Sequence, residues 1–243
     1  MKLIVKRVLL WGTIAVISLT IITAIFINLN TYNPMEKALE SMKRPNVVVE
    51  NNTIIFNPEE PPIANVVFYQ GGLVKTEAYA VLGQSLAQEG IRVFMPQMFL
   101  NLAITNTGAF ENIRQTYENG QKWFIGGHSL GGASASIYTA NNVNNIDGIF
   151  FLGSYPSASS VLAEKPLKVL SVHATNDQIL NYEKYIETKD ILPTDTVFLE
   201  IEGGNHSNFG YYGLQRGDGK SNISREVQHD LVVEAIVQMI KNQ

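Results

Sequence analysis

Trp123-Phe124-Ile125-Gly126-Gly127-His128-Ser129-Leu130-Gly131-Gly132-Ala133 is the most informative segment of this chain. A short apolar run enters it, and a helix-compatible run over 130–141 leaves it. Gly-x-Ser-x-Gly between a strand and a helix sets the serine on a tight turn that lifts its hydroxyl above a sheet. The bare pattern is common by chance, so the setting carries the weight. A glycine-rich turn without chemistry has the same local spelling, and the rest of the chain must choose between them.

Outward from this point the chain keeps one rhythm. Apolar runs at 65–69, 91–95, 122–125, 146–152, 168–172 and 196–201 alternate with helical patterns at 77–89, about 106–119, 130–141 and 181–189. A last helical pattern covers 224–241. Continuous apolar runs read as strands buried on both faces, and helical crossovers imply parallel pairing. The expectation over 63–243 is one α/β domain: a mainly parallel sheet with helices on both faces. Segment 154–167 is too short for a helical lid, so no large lid domain is expected.

Residues 31–62 read as a juxtamembrane unit. Asn33-Pro34 opens a short amphipathic helix through Met35, Ala38, Leu39 and Met42. Runs 47–50 and 53–56 then flank Asn51-Asn52 as a β-hairpin.

Residues 8–29 carry no charge and are almost wholly apolar. About 20 helical residues cross a ~30 Å hydrocarbon core. Lys2, Lys6 and Arg7 precede the run, and no acidic residue occurs before Glu36. The expectation is a single-pass anchor over 1–30 in the cell membrane, with the body on the extracytoplasmic side. A cleaved signal peptide normally has an apolar stretch of only ~7–15 residues and a small-x-small site; this run is longer, and Asn28-Leu29-Asn30-Thr31-Tyr32 lacks that site.

Composition narrows the function classes. Of 243 residues, 45% are hydrophobic and 16% charged, which excludes a disordered chain. Net charge is −4, against the basic balance of a nucleic-acid binder. With no cysteine there is no disulfide, thiolate metal site or cysteine nucleophile, and no pair of the 4 histidines has metal-ligand spacing. No metal or cofactor is expected.

A serine hydroxyl needs a base, and the base needs a carboxylate to orient it. His206 follows the last strand in Glu202-Gly203-Gly204-Asn205-His206, and Asp177 follows run 168–172 in His173-Ala174-Thr175-Asn176-Asp177. Ser129, Asp177 and His206 all fall just past strand ends, where open parallel sheets build their sites. The other histidines fit less well. His128 fills a variable turn position, His173 ends a core strand, and His229 sits in the last helix on what reads as a solvated face. Glu202 and Asp147 are weaker acids than Asp177, since Asp147 starts a strand at its wrong end. An oxyanion hole needs two backbone donors. Leu130, after the nucleophile, is one, and loop 69–73 supplies the other. Met98, Phe99, Leu100, Leu102 and Ile104 follow a strand end and are candidates to line an acyl pocket. Gly217-Asp218-Gly219 reads as a turn rather than a calcium loop.

On these residues the chain resembles the α/β-hydrolase superfamily, and more narrowly the small bacterial hydrolases of the α/β-hydrolase fold-5 type. The resemblance rests on FYQGGLV (68–74), AYAVLGQSLAQEGIRVFMPQM (78–98), GGHSLGGASAS (126–136), HATNDQI (173–179) and IEGGNHSNFGYYGLQRGDG (201–219). It implies nucleophile Ser129, acid Asp177, base His206, and oxyanion donors near Gly72, Leu73 and Leu130. The chain departs from the pattern at Gln70, where proline is expected, and at Ser207-Asn208. The expected function is a membrane-anchored serine hydrolase cleaving a small-molecule carboxylic ester, short or soluble because the site is open. The alternatives are a silent membrane-tethered scaffold, or an acyltransferase or peptidase using the same residues.

Overall fold

The computed structural model describes residues 2–242. They fall into two units, divided after Thr31. The first is one helix, α1 (Lys2–Asn30). Its segment Leu9–Asn30 spans 22 residues with none of it buried, and it is long and apolar enough to cross a bilayer. Thr13 and Thr20 turn their hydroxyls back to the carbonyls of Leu9 and Val16, which satisfies them within the helix.

The second unit is built on one eight-stranded sheet. Its strands are β1 (Val47–Glu50), β2 (Thr53–Phe56), β3 (Ala64–Tyr69), β4 (Ile91–Pro96), β5 (Lys122–His128), β6 (Gly148–Leu152), β7 (Lys168–Ala174) and β8 (Val197–Ile201), in spatial order β1-β2-β4-β3-β5-β6-β7-β8. Pairing is parallel from β4 to β8 and antiparallel where β2 joins β4. The hairpin β1–β2 therefore extends the same sheet, because β2 offers β4 a row of backbone groups it must satisfy. Residues 32–62 belong to the second unit together with the sheet.

All six residues of β3 are buried and alternate between two cores. Val66 and Phe68 face α3 (Ala80–Gln88) and α7 (Arg225–Lys241) through Leu82, Leu86, Val232 and Ile236. Val67 and Tyr69 face α4 (Ala109–Tyr117) and α5 (Leu130–Asn141) through Phe110, Ile113 and Ala135. Helices thus cover both faces, as the unbroken apolar runs require. A short helix, α2 (Glu36–Met42), packs on the body through Ala38, and α6 (Tyr182–Glu187) follows β7.

The chain leaves β3 toward β4 on one side and returns with β5 on the other. That reversal opens a crevice at the carboxyl ends of β3 and β5, the place where such sheets bind ligands.

Candidate active site

Ser129 sits between β5 and α5 at φ 52°, ψ −122°, a left-handed backbone that a non-glycine residue adopts only when its surroundings impose it. Its N–H donates to the Leu152 carbonyl at 3.0 Å, and its own carbonyl accepts the Ser154 hydroxyl at 2.6 Å. The flanking glycines are steric necessities. A Cβ on Gly131 would overlap the Tyr69 carbonyl at the end of β3, and one on Gly127 would meet the backbone of Gly131.

Asp177 and His206 come together from the ends of β7 and β8. Nδ1 of His206 lies 2.7 Å from Oδ2 of Asp177, and each side chain is 1% exposed. The other carboxylate oxygen accepts the N–H groups of Ile179 and Leu180 at 2.9 and 2.8 Å. With Nδ1 turned to the carboxylate, Nε2 is the ring nitrogen left without a protein hydrogen-bond partner. His206 and Ser129 line one cavity of about 300 Å³, together with Leu130, Ser154, Tyr155 and Leu180.

The loop after β3 lies against the helix start, with Gly72 beside the Leu130 side chain. The N–H groups of Gly72 and Leu130 have no partner among the described residues. Leu73 is different. Its N–H already donates to the Asn101 carbonyl at 2.9 Å, so its place among the oxyanion donors is corrected: the φ of 57° at Leu73 turns that N–H toward segment 98–106. Gln70 is fully buried, and neither of its amide atoms has a protein partner.

The expected acyl-pocket residues do not line this cavity. Met98 is buried in the core that faces α4 and α5. Phe99, Leu100 and Ile104 are exposed and lie outside the cavity that Ser129 lines, because Leu100 and Asn101 both take left-handed φ and reverse the chain there. Sequence reasoning missed Tyr155, Ile179, Leu180 and Asn181 as lining residues, since no periodicity marks a loop residue.

His128 bonds locally, as its turn position predicts. Its Nδ1 is 2.8 Å from the Tyr79 hydroxyl, which also accepts the Gly71 N–H at 3.0 Å. Burial first, and the neighbouring His206 second, hold its pKa well below the usual histidine range, so it is neutral. His173 is buried and pairs with Glu200 at 2.8 Å. His229 is not solvated as expected. It is buried against Tyr211, and burial, with Arg225 nearby, lowers its pKa to about 3.

Two further groups hold the base loop. Asp218, expected only to make a turn, accepts the Ser207 N–H at 2.8 Å and the Gln178 N–H at 3.2 Å, tying the neighbours of His206 and Asp177 together. Gln228 pairs both amide atoms with the backbone of Asn205. Among the described residues no group of three or more His, Asp or Glu side chains is placed to hold a metal ion.

Residues 65–230 match the family model described as alpha/beta hydrolase family. The chain belongs to that family. None of the curated proteins matches it by sequence. Among solved structures, this alpha/beta hydrolase is similar to Est1E from Butyrivibrio proteoclasticus with bound ferulic acid, at TM-score 0.61 and 14% identity over 78% of this chain and 95% of that one. It is similar to a dienelactone hydrolase from Anabaena variabilis at TM-score 0.58 and 15% identity, over 79% and 95% of the two chains. It is also similar to acyl-protein thioesterase 2 from Zea mays at TM-score 0.56 and 13% identity, over 79% and 100%. At these identities the likeness is one of fold.

Proposed function

We propose that this protein is a membrane-anchored serine hydrolase that cleaves carboxylic esters through an acyl-enzyme on Ser129. The observation that carries the reading is the Asp177–His206 pair, whose imidazole has an unpartnered Nε2 and lines the same cavity as Ser129 on its left-handed turn.

The chemistry follows from that arrangement. Nε2 of His206 takes the Ser129 proton as Oγ attacks the ester carbonyl. The imidazolium is stabilised by Asp177, and the oxyanion is held by the N–H groups of Leu130 and Gly72. His206 then protonates the alkoxide, which leaves as the alcohol. Water, deprotonated by the same nitrogen, cleaves the acyl-enzyme to the acid and restores Ser129. The cavity is at the small end of the ~300–1,000 Å³ range of small-molecule sites. That supports a small acyl group at the reacting carbon.

Labelling by a fluorophosphonate, with Ser129→Ala as control, tests the reading. Labelling that disappears in the variant supports it. An unlabelled but folded wild-type chain makes the protein a silent scaffold.

The anchor is part of the proposal. It is supported by the length and apolarity of Leu9–Asn30 and by the cations before it. Retention in membranes after alkaline washing, with the N-terminal peptide intact by mass spectrometry, is the expected result; a mature N-terminus near residue 30 makes the segment a signal peptide.

A further inference from the structure

We infer that the rim of the site beside the Gly72 loop docks on the lipid bilayer, so that the ester is taken from the adjoining leaflet. This rests on the anchored-hydrolase reading above.

Tyr32 is the second residue after α1 ends, and it is fastened to the loop that follows β3. Its N–H donates to the Leu73 carbonyl at 2.7 Å, and its carbonyl accepts the Lys75 N–H at 3.1 Å. Its hydroxyl accepts the Arg216 N–H at 3.0 Å, and its ring lies 5.5 Å from that of Tyr212. An extended residue spans at most ~3.6 Å, so this pairing point lies within ~7 Å of the helix end, whatever direction the helix takes. Leu73 adjoins Gly72, the candidate oxyanion donor. If Leu9–Asn30 crosses the bilayer, the loop beside Ser129 is held at its surface.

The second observation is what that rim exposes. Leu73 is bonded to Asn101, and the left-handed pair Leu100-Asn101 presents Phe99 and Ile104 outward. Phe99 is 72% exposed, more than any other large hydrophobic residue among the described residues of the body, and Ile104 is 48% exposed. A left-handed leucine costs ~1–2 kcal/mol, and in water the turn it makes leaves Phe99 and Ile104 displaying apolar surface. At an interface the same turn inserts apolar side chains. Lys75 and Arg216 are exposed on either side of Tyr32 and suit anionic headgroups. An open site by itself favours soluble esters; the tether changes where the substrate comes from, not the size of acyl group that the cavity admits.

The chain contains no cysteine, so single labels are unambiguous. Full-length Phe99→Cys and Val197→Cys variants carry a fluorophore in phosphatidylcholine–phosphatidylglycerol vesicles containing headgroup-proximal nitroxide lipid. Val197 is also exposed and apolar, but at the amino end of an edge strand. The expected result is quenching at residue 99 at least threefold stronger than at 197. Equal quenching overturns the proposal, as does self-quenching between labels at 99 without lipid quenching, which would give this surface to a second copy. A chain that does not float with the vesicles overturns the anchor and the proposal together. In the same vesicles, Phe99→Ser with Ile104→Ser is expected to lower hydrolysis of a bilayer-borne fluorogenic ester at least fivefold while leaving p-nitrophenyl acetate turnover unchanged. Equal loss on both esters overturns the proposal. Wild-type chain that is quenched at 99 but hydrolyses neither ester removes the hydrolase reading and leaves the docking surface standing.

Discussion

The carboxylate of Asp218 accepts both the main-chain N–H and the hydroxyl of Ser207, the residue after His206, at 2.8 and 2.5 Å. Through its other oxygen it reaches the N–H of Gln178, the residue after Asp177. One side chain therefore sets the separation of the loops that carry the candidate base and acid, although it touches neither.

Asp218→Ala is expected to lower kcat by about 10- to 100-fold with little change in KM, because a displacement near 1 Å at the base costs on that order. It also leaves the Ser207 N–H without its acceptor, a loss of ~1–3 kcal/mol. Steady-state kinetics on p-nitrophenyl esters and thermal unfolding of the same preparation separate the two effects. An unchanged kcat in a destabilised variant would limit Asp218 to stability.

Asp177→Asn keeps the shape of the acid and removes its charge. The expected loss in turnover is about 10⁴-fold, since the imidazole then presents the wrong tautomer to Ser129 and its cation is no longer stabilised. Single-turnover acylation with a chromogenic ester measures it. A loss below tenfold would point to another acid.

Tyr79→Phe removes the hydroxyl shared by Gly71 N–H and His128 Nδ1. Both groups are buried, so the cost is ~1–3 kcal/mol, read as a lower Tm. Turnover is expected to fall as well, because Gly71 precedes the candidate donor Gly72 and loosening one oxyanion donor is worth up to ~10²–10³.

His229 makes stability depend on pH. Its folded pKa is about 3, against ~6.5 in the unfolded chain, so between those values only the unfolded chain binds the proton. Its contribution is whole above pH ~6.5 and is lost as pH falls toward 3. From pH 7 to 5 the loss is ~2 kcal/mol, or ~4–8 °C in Tm for a body of this size. His229→Phe is expected to narrow the difference between the Tm values at the two pH values by several degrees, with neutral His128 leaving part of it. An unchanged difference would mean that His229 is already protonated or solvated.

That histidine shows where reading by pattern stops. The buried stripe of α7 runs Val232, Ile236, Ile240, and one turn back it lands on Gln228 and His229. The stripe is visible in the sequence, but a polar residue at its end reads as solvated, whereas Arg225 and Gln228 bond the backbone of the His206 loop and His229 packs on Tyr211. The sheet was more legible. Five core strands begin within one or two residues of the predicted runs, because a strand buried on both faces must be apolar at every position. The hairpin β1–β2 is legible as local structure, but nothing in eight residues says which distant edge it will satisfy, and that edge is β4.

The linear order of residues determined the α/β alternation, the serine on its glycine-flanked turn, and the apolar helix ahead of the body, since each depends on neighbours a few positions apart. Only the tertiary structure decided the rest. It closed Asp177 on His206, tied Ser207 to Asp218, bonded the Leu73 N–H to Asn101, turned Phe99 to the surface and bound Tyr32 to the loop after β3. Those pairings join residues from 11 to more than 40 positions apart, and their energies depend on which backbone and side-chain groups the packed sheet leaves facing one another.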